Sequence, residues 1–98
     1  MTLYKDKRFE SKKYLSFVRS LPCASCGTEA DITAHHLRHV IAPYAGGMSY
    51  KAHDFLTMPL CGKCHSEMHT DTTLWWDQPR MIFKTWTDAI GEGVIKIT

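Results

Sequence analysis

Residues 59–69, Pro-Leu-Cys-Gly-Lys-Cys-His-Ser-Glu-Met-His, combine a C-x2-C pair with two histidines. A second C-x2-C pair lies upstream in residues 22–27, Pro-Cys-Ala-Ser-Cys-Gly. A C-x2-C turn can place two thiolates on one ion, and zinc favours four tetrahedral ligands with Zn–S distances of about 2.3 Å. We therefore predict a structural zinc site with no open coordination position. Its ligands are Cys23, Cys26, Cys61 and Cys64.

The histidines of the same stretch predict a second metal site. His65 and His69 are four residues apart, and residues at that spacing lie on one face of a helix. His35 and His36 are adjacent, and adjacent residues of a strand point to opposite faces, so one of the two can join this pair. Geometry decides which divalent ion such a site accepts, and Zn²⁺, Mn²⁺, Ni²⁺ and Mg²⁺ remain open.

Hydrophobic periodicity and helix-end residues predict the surrounding elements. They are a helix over 11–21 that Ser11 caps, a strand over 32–39, a loop over 40–53, a strand over 55–60, a helix over 61–69, a helix over 77–91 that Asp77 caps, and a closing strand over 94–97. The apolar stripe of the last helix is Met81, Ile82, Trp86 and Ile90. We interpret Trp75, Trp76 and Trp86 as core residues, with base stacking as the alternative, and His39 and His53 as ordinary surface or core residues.

Length and composition favour one small globular domain. The chain has 98 residues, 44% of them hydrophobic and 22% charged, which excludes a disordered tail. The charged N-terminus has no apolar segment typical of a secretory signal, so we expect a soluble, cytoplasmic protein without a membrane span. In a reducing compartment, metal binding explains four cysteines better than disulfides do. The predicted parts are a basic arm and helix (1–21), a zinc knuckle and metal-binding core (22–70), and a C-terminal helix and tail (71–98).

Charge is concentrated at the N-terminus. The formal net charge is only +2, but basic residues outnumber acidic ones in residues 1–20. Such an arm suits contact with a phosphate backbone, although a solvated helix face has the same composition. Lys12 and Lys13 are the predicted DNA contacts of this arm, and Arg38 and Lys63, which lie beside the histidine motifs, are predicted phosphate contacts.

Several motifs in order resemble one enzyme family. Residues 33–37 read Thr-Ala-His-His-Leu, and residues 59–69 follow after a loop. Together they resemble the HNH (ββα-metal) endonucleases that carry a zinc knuckle. Residues 14–26, Tyr-Leu-x-Phe-Val-Arg-Ser-Leu-Pro-Cys-x-x-Cys, also resemble small phage and prophage nucleases of the Ref and YbcO type. The resemblance covers residues 11–70.

The resemblance implies a fold and a role for each matched histidine. The fold is α+β, a small ββα-metal unit joined to the four-cysteine zinc site, with flanking helices. His35, His65 and His69 match the ligands of the catalytic ion, and His36 matches the general base that activates water. An imidazole suits that task because its unperturbed pKa is about 6.5.

One departure from the family pattern concerns asparagine. The chain contains no Asn, whereas in relatives an Asn precedes the P-L-C-x-x-C-H run and helps to fix the loop of the base. Leu56 is the nearest position by spacing and cannot replace it. Asp54 is the best substitute, because its carboxylate can accept a hydrogen bond from His36 and raise its basicity.

These observations predict a metal-dependent DNA endonuclease with little sequence specificity, phage- or prophage-encoded and linked to DNA recombination or processing. A first alternative is a non-catalytic, zinc-stabilised module that binds DNA or a recombination protein, because the missing Asn is compatible with lost catalysis. A second alternative is a structural, partner-binding domain. The sequence leaves open whether the chain is a monomer or a homodimer and whether the DNA is single- or double-stranded.

Overall fold

The computed structural model describes residues 8–41, 44–45 and 51–96, and within them the chain forms a small α+β fold. The elements in chain order are helix α1 (Lys12–Arg19), strand β1 (Ile32–His36), strand β2 (Thr57–Cys61), helix α2 (Gly62–Thr70), a 3-10 helix (Thr72–Asp77) and helix α3 (Gln78–Gly91). The α+β class and the three main helices agree with the sequence prediction. Residues 1–7 of the predicted basic arm and residues 42–43 and 46–50 of the predicted 40–53 loop lie outside the described residues.

Helix α1 begins after Ser11 as its sequence predicts, but it ends two residues before the predicted end at Leu21. The Ser11 side chain accepts a hydrogen bond from the Tyr14 N–H at 3.1 Å, which satisfies one of the free donors of the first turn. Tyr14 and Val18, four residues apart, are the buried face of the helix. The helix ends at Arg19, before Pro22.

The two strands form an antiparallel hairpin whose register runs from Ile32 opposite Cys61 to His36 opposite Thr57. The prediction that β1 extends to His39 was wrong, because the backbone of the next residues is held elsewhere. The N–H and C=O groups of Arg38 both bind the Gln78 side chain, and His39 has a left-handed φ of 76°. The Leu37 N–H still donates to the Leu56 carbonyl at 2.9 Å, and the chain leaves the sheet at Arg38.

Strand β2 begins two residues later than predicted and includes a proline. The Pro59 carbonyl accepts a hydrogen bond from the Ala24 N–H at 2.8 Å. The nitrogen and carbonyl of one strand residue point to the same side, so those of Pro59 face the first cysteine turn rather than β1. The missing N–H of Pro59 is thus not needed by the sheet, and β2 joins the hairpin to the segment that carries Cys23 and Cys26.

Helix α3 packs against β2, but its buried stripe differs from the predicted one. Its buried residues are Gln78, Met81, Ile82, Thr85 and Ala89, whereas Ile90 is 44% exposed. Trp86 is half-buried and its indole N–H donates to the Phe55 carbonyl at 2.7 Å. Trp75 is also half-buried, but Trp76 is 69% exposed, so its assignment to the core was wrong. The 3-10 helix turns Trp76 outward.

Both ends of α3 differ from their predictions. The Asp77 side chain makes no capping hydrogen bond among the described residues, because the 3-10 helix runs directly into α3. No closing strand forms over the described residues 94–96. Instead, Gly93 takes a φ of +75° and the Val94 N–H donates to the Ala89 carbonyl at 2.8 Å, which caps the helix. Across the described ranges, no helix has the length and apolar character needed to span a membrane.

Candidate metal centres

The four cysteine thiols lie together at the junction of the first cysteine turn, β2 and α2. Their sulfur atoms all lie within 4.8 Å of one another, and all four cysteines are free. The Cys26 and Cys61 sulfurs are 3.7 Å apart. Two thiolates on a tetrahedral zinc ion with Zn–S near 2.3 Å are separated by about 3.8 Å, whereas a disulfide needs about 2.05 Å. The cluster therefore has the spacing that suits one metal ion such as zinc.

Backbone N–H groups stabilise negative charge in this cluster. The Ser25 and Cys26 N–H groups donate to the Cys23 sulfur at 3.4 and 3.5 Å. Burial opposes ionisation of this thiol, but hydrogen bonds from the backbone of Cys26, Cys61 and Ser25 outweigh it and lower the pKa of Cys23 to about 6. A thiolate is the form that binds a metal, so the backbone of the turn that carries Cys23 and Cys26 favours binding of a cation.

A second cluster consists of His35 on β1 and His65 and His69 on α2. One ring nitrogen of each lies within 4.8 Å of the others. The ring centroids of His35 and His65 are 4.7 Å apart, and those of His65 and His69 are 4.8 Å apart. The structure therefore brings together the residues that the sequence predicted as ligands of a second ion. Exposure increases from buried His35 through His65 to exposed His69, so one side of the cluster is open to solvent.

His35 has the properties of a metal ligand. It is 3% exposed, and its Nε2 atom has no hydrogen-bond partner among the described residues. Burial, followed by the nearby His65 and His69 rings, lowers the pKa of His35 to about 3, so the ring is neutral at physiological pH. A buried polar atom without a partner is costly, and a cation at the centre of the cluster would satisfy it. The donor set therefore fits a divalent ion.

Thr33, which lies on β1 with His35, orients the His65 ring of helix α2. The Thr33 hydroxyl donates to the Leu60 carbonyl at 3.0 Å and lies 3.1 Å from His65 Nδ1. Because the Thr33 hydroxyl donates its proton to the Leu60 carbonyl, it can only accept a hydrogen bond from the Nδ1–H group of His65. In a neutral imidazole the lone pair then lies on Nε2, which is available to a metal. The sequence analysis missed this residue, although its position two residues before His35 was a usable signal.

His36 belongs to a different group of contacts, centred on Asp54. His36 Nε2 lies 2.9 Å from Asp54 Oδ1, the contact anticipated from the sequence. Burial raises the pKa of Asp54, but hydrogen bonds from His36, the Ser11 N–H and Arg8 outweigh it, so the net shift is downward and Asp54 is ionised. An ionised carboxylate only accepts, so Nε2 carries the proton and Nδ1 is the unprotonated nitrogen of the neutral His36 ring. Burial lowers the pKa of His36, which favours the neutral ring, although Asp54 opposes this.

Asp54 also holds the segment before α1. Its two carboxylate oxygens accept from Arg8 Nη1 at 2.7 Å and from the Ser11 N–H at 2.8 Å. Its own N–H donates to the Phe9 carbonyl at 3.0 Å. Asp54 therefore has a structural role that the sequence analysis did not predict. Arg8 was missed as its partner because the two residues are 46 positions apart and no local pattern connects them.

The predicted DNA contacts are dispersed in the structure. Lys12 and Lys13 are exposed at the start of α1, and Lys63 is exposed at the start of α2. Lys63 is two residues before His65, so its side chain leaves the helix on nearly the opposite side from the histidine cluster. Arg38 is half-buried and follows β1 directly.

The two histidines interpreted as ordinary residues occupy different environments. His53 is buried and its Nδ1 atom accepts a hydrogen bond from the Phe9 N–H at 2.7 Å, as expected for a satisfied core histidine. His39 is exposed and stacks on the Trp75 ring, with centroids 4.1 Å apart.

Comparison with known proteins identifies the family of this chain. No solved structure matches it. YdfU of Escherichia coli (strain K12), an uncharacterised protein, is 42% identical over 99 residues that cover 97% of this chain. The chain spans 27% of the length of that relative. The profile of a protein family of unknown function, DUF968, matches residues 1–93. Because this match covers nearly the whole chain, the chain belongs to the DUF968 family.

Proposed function

We propose that this domain is a metal-dependent DNA endonuclease that hydrolyses phosphodiester bonds with little sequence specificity. One observation carries the proposal: three imidazoles converge around a His35 nitrogen that has no hydrogen-bond partner among the described residues, and the next residue, His36, directs its Nε2 atom at Asp54, which leaves Nδ1 as the unprotonated nitrogen. The arrangement of β1, β2 and α2 and the order of the motifs support a ββα-metal assignment. The four cysteines would hold a structural zinc ion beside it.

Hydrolysis of a phosphodiester requires neutralised charge on phosphorus, an activated water and a stabilised leaving oxygen. A divalent ion bound by His35, His65 and His69 would supply positive charge to the phosphate and to the leaving oxygen. Three protein ligands leave coordination positions open, unlike the four thiolates. The exposed side of the cluster, at His69, is where a DNA strand can approach.

His36 would accept the proton of the attacking water. Its Nε2–H group is held by Asp54, which fixes the tautomer and leaves Nδ1 as the acceptor. Asp54 is in turn held by Arg8 and the Ser11 N–H, so the ring orientation depends on the segment before α1. Asp54 is thus a positioning residue that would replace the missing Asn.

Weak sequence specificity follows from the kind of side chain that is proposed to contact the DNA. Arg38 suits contact with phosphate oxygens, and Lys12 and Lys13 would extend the contact along the backbone. Phosphate contacts orient DNA without reading its sequence. The link to phage recombination rests on the resemblance alone.

A second candidate function is a DNA- or protein-binding module without catalysis. The contacts of Asp54 favour it, because this carboxylate links Arg8 and Ser11 to residues 51–54. Stabilisation of the fold is a sufficient reason for these contacts, and no catalytic role is needed to explain them. His36 would then be a structural partner of that carboxylate.

Nicking of supercoiled plasmid tests the two candidates. Zinc-loaded wild-type protein is incubated with Mg²⁺, Mn²⁺, Ni²⁺ or additional Zn²⁺, beside His36→Ala at matched zinc content. Loss of a general base lowers rates by about 10²–10⁴-fold, so the variant is expected to be nearly inactive. Lys84→Ala, which breaks an exposed pair with Asp88 on α3, is the control for purification and should retain wild-type nicking. A folded, zinc-loaded wild type that nicks with none of these ions would contradict the nuclease and favour the binding module.

A further inference from the structure

Gln78, the first residue of α3, is fully buried and uses its side chain to hold two distant backbone segments. Its amide nitrogen donates to the Arg38 carbonyl at 2.7 Å and to the Trp75 carbonyl at 2.9 Å. Its amide oxygen accepts from the Arg38 N–H at 3.1 Å. The side chain is 0% exposed, so these hydrogen bonds are shielded from water. Gln78 therefore places the 38–39 segment against the Trp75 segment.

The two segments meet in an aromatic stack. The His39 and Trp75 ring centroids are 4.1 Å apart with 15° between their planes. The Trp75 indole N–H donates to the Met68 carbonyl at 3.0 Å, which anchors the stack at the residue before His69. Trp75 covers one face of the His39 ring, and because His39 is exposed, its other face is available to solvent. A flat π-surface therefore lies beside the histidine cluster.

Two features distinguish this stack from ordinary surface packing. His39 has a φ of 76°, a conformation that non-glycine residues seldom adopt and that surrounding structure must enforce. Arg38, its neighbour, has a buried Nε atom without a hydrogen-bond partner among the described residues. Arg38 as a whole is only half-buried, and a partly accessible guanidinium beside a π-surface suits an anion that is attached to an aromatic ring.

The stack is electrostatically close to the histidine cluster. Burial, and then the charges of Arg38 and His69, lower the pKa of His39. The Arg38 charge also contributes to the lowered pKa of His35. The geometry agrees, because the Trp75 indole that stacks on His39 is hydrogen-bonded to the carbonyl of Met68, the residue before His69, so a phosphate bound between Arg38 and the cluster would have its base near the His39 ring.

We propose that Arg38, His39 and Trp75 form a nucleotide subsite that accepts an unstacked base of single-stranded DNA, with its phosphate on Arg38. The proposal deepens the nuclease function and rests on it. In a duplex both faces of a base are covered by its neighbours, so an aromatic ring can stack only on an unpaired base. The subsite therefore selects single-stranded DNA, or a single-stranded stretch within a duplex, at the histidine cluster.

Binding without cleavage tests this subsite. Fluorescence anisotropy is measured with a labelled single-stranded oligonucleotide and with a duplex of the same sequence, using zinc-loaded protein without added second metal. Wild type is expected to bind the single strand more tightly. His39→Asn removes the ring while retaining a residue that tolerates positive φ, and should weaken single-strand binding roughly 5- to 100-fold, with duplex binding unchanged. Circular dichroism confirms that the variant is folded.

Trp76→Ala is the matched control, because it removes an exposed aromatic ring that is adjacent in sequence but outside the stack. It should leave the single-strand preference unchanged. Equal wild-type affinities for the two DNAs, or a loss of preference in Trp76→Ala rather than in His39→Asn, would overturn the subsite. Plasmid nicking reports separately on the proposed function. A protein that fails to nick but shows His39-dependent single-strand binding would retain the subsite and lose the catalytic assignment.

Discussion

The thiol cluster and the histidine cluster share helix α2 but offer a metal ion very different environments. Three of the four cysteines are buried, and backbone N–H groups point at the Cys23 sulfur. The histidine cluster has one buried member, His35, and one exposed member, His69. Four thiolates complete a tetrahedron, whereas three imidazoles do not. This difference is what the proposed function requires, a structural ion at the first cluster and a reactive ion at the second.

Helix geometry explains how one short helix serves both clusters. Cys64 and His65 are consecutive and therefore lie about 100° apart around the helix axis. Cys64 points toward Cys61 and the first cysteine turn, while His65 and His69 point toward β1. Any change that rotates or unwinds α2 should affect both clusters, whereas single side-chain changes should separate them.

The largest expected effect is loss of folding when the thiol cluster is broken. Apparent zinc binding energies of structural sites, about 10–16 kcal/mol, are as large as the whole stability of a typical domain, about 5–15 kcal/mol. Cys23→Ser, or removal of zinc from wild type by a strong chelator, should abolish cooperative thermal unfolding measured by circular dichroism. Restoring zinc to the chelated wild type should restore the transition. A chelated protein that still unfolds cooperatively near the original temperature would show that the cluster is not structural.

The next largest effect separates the histidine cluster from folding. His65→Ala should remove binding of the second metal ion and reduce nicking by at least about 10²-fold, because it deletes a ligand on which transition-state charge stabilisation depends. Zinc content and the unfolding temperature should be unchanged. Lys63→Ala, on the other side of the same helix, is the control and should retain second-metal binding. If His65→Ala also lost the structural zinc, the two clusters would not be independent.

Asp54→Asn should destabilise the fold by about 1–3 kcal/mol, because the buried carboxylate accepts from Arg8, His36 and the Ser11 N–H. Urea unfolding measures this loss. If Asp54 also positions His36, the variant should lose nicking activity even at a temperature where it is fully folded. Its affinity for the second metal ion should be unchanged there. Full nicking by the folded variant would leave Asp54 with a structural role alone.

The smallest effect concerns Thr33, which orients His65. Thr33→Val is nearly isosteric but lacks the hydroxyl, so His65 loses the acceptor that fixes its tautomer. Loss of such a partner lowers metal affinity by about 10–100-fold. Isothermal titration calorimetry, with Co²⁺ added to zinc-loaded protein, measures the affinity for the second metal ion. Thr33→Ser retains a hydroxyl and should therefore have the wild-type affinity. Equal affinities for all three proteins would show that the hydroxyl does not orient the ligand.

The parts of the fold that sequence analysis predicted correctly depend on contacts between near neighbours. The Ser11 cap bonds to a residue three positions away, and His65 and His69 share a face because helix geometry requires it. The C-x2-C spacing likewise anticipated the clustered cysteines. The nuclease activity, its ion and its DNA partner stay predictions, because they depend on chemistry that spacing alone does not demonstrate.

The incorrect predictions share a cause. The end of β1 depends on Gln78, which is 40 residues from Arg38, and the exposure of Trp76 depends on a 3-10 helix that continues into α3. The predicted closing strand was wrong because Val94 caps α3 instead. Each outcome is set by a partner that periodicity within one segment does not identify.

The sequence by itself determined which residues can bind metal and which short elements carry them, because ligand chemistry and helix or turn geometry act over a few positions. Only the tertiary structure decided how these elements face one another. It brings Arg8 to the Asp54 carboxylate from 46 residues away, and it sets the register that directs His35 toward α2 and His36 toward Asp54, contacts that the sequence analysis could expect only through the family resemblance. It also stacks His39 on Trp75. The physical reason is that side-chain hydrogen bonds and packing select partners by position in space, which the linear spacing of residues does not encode.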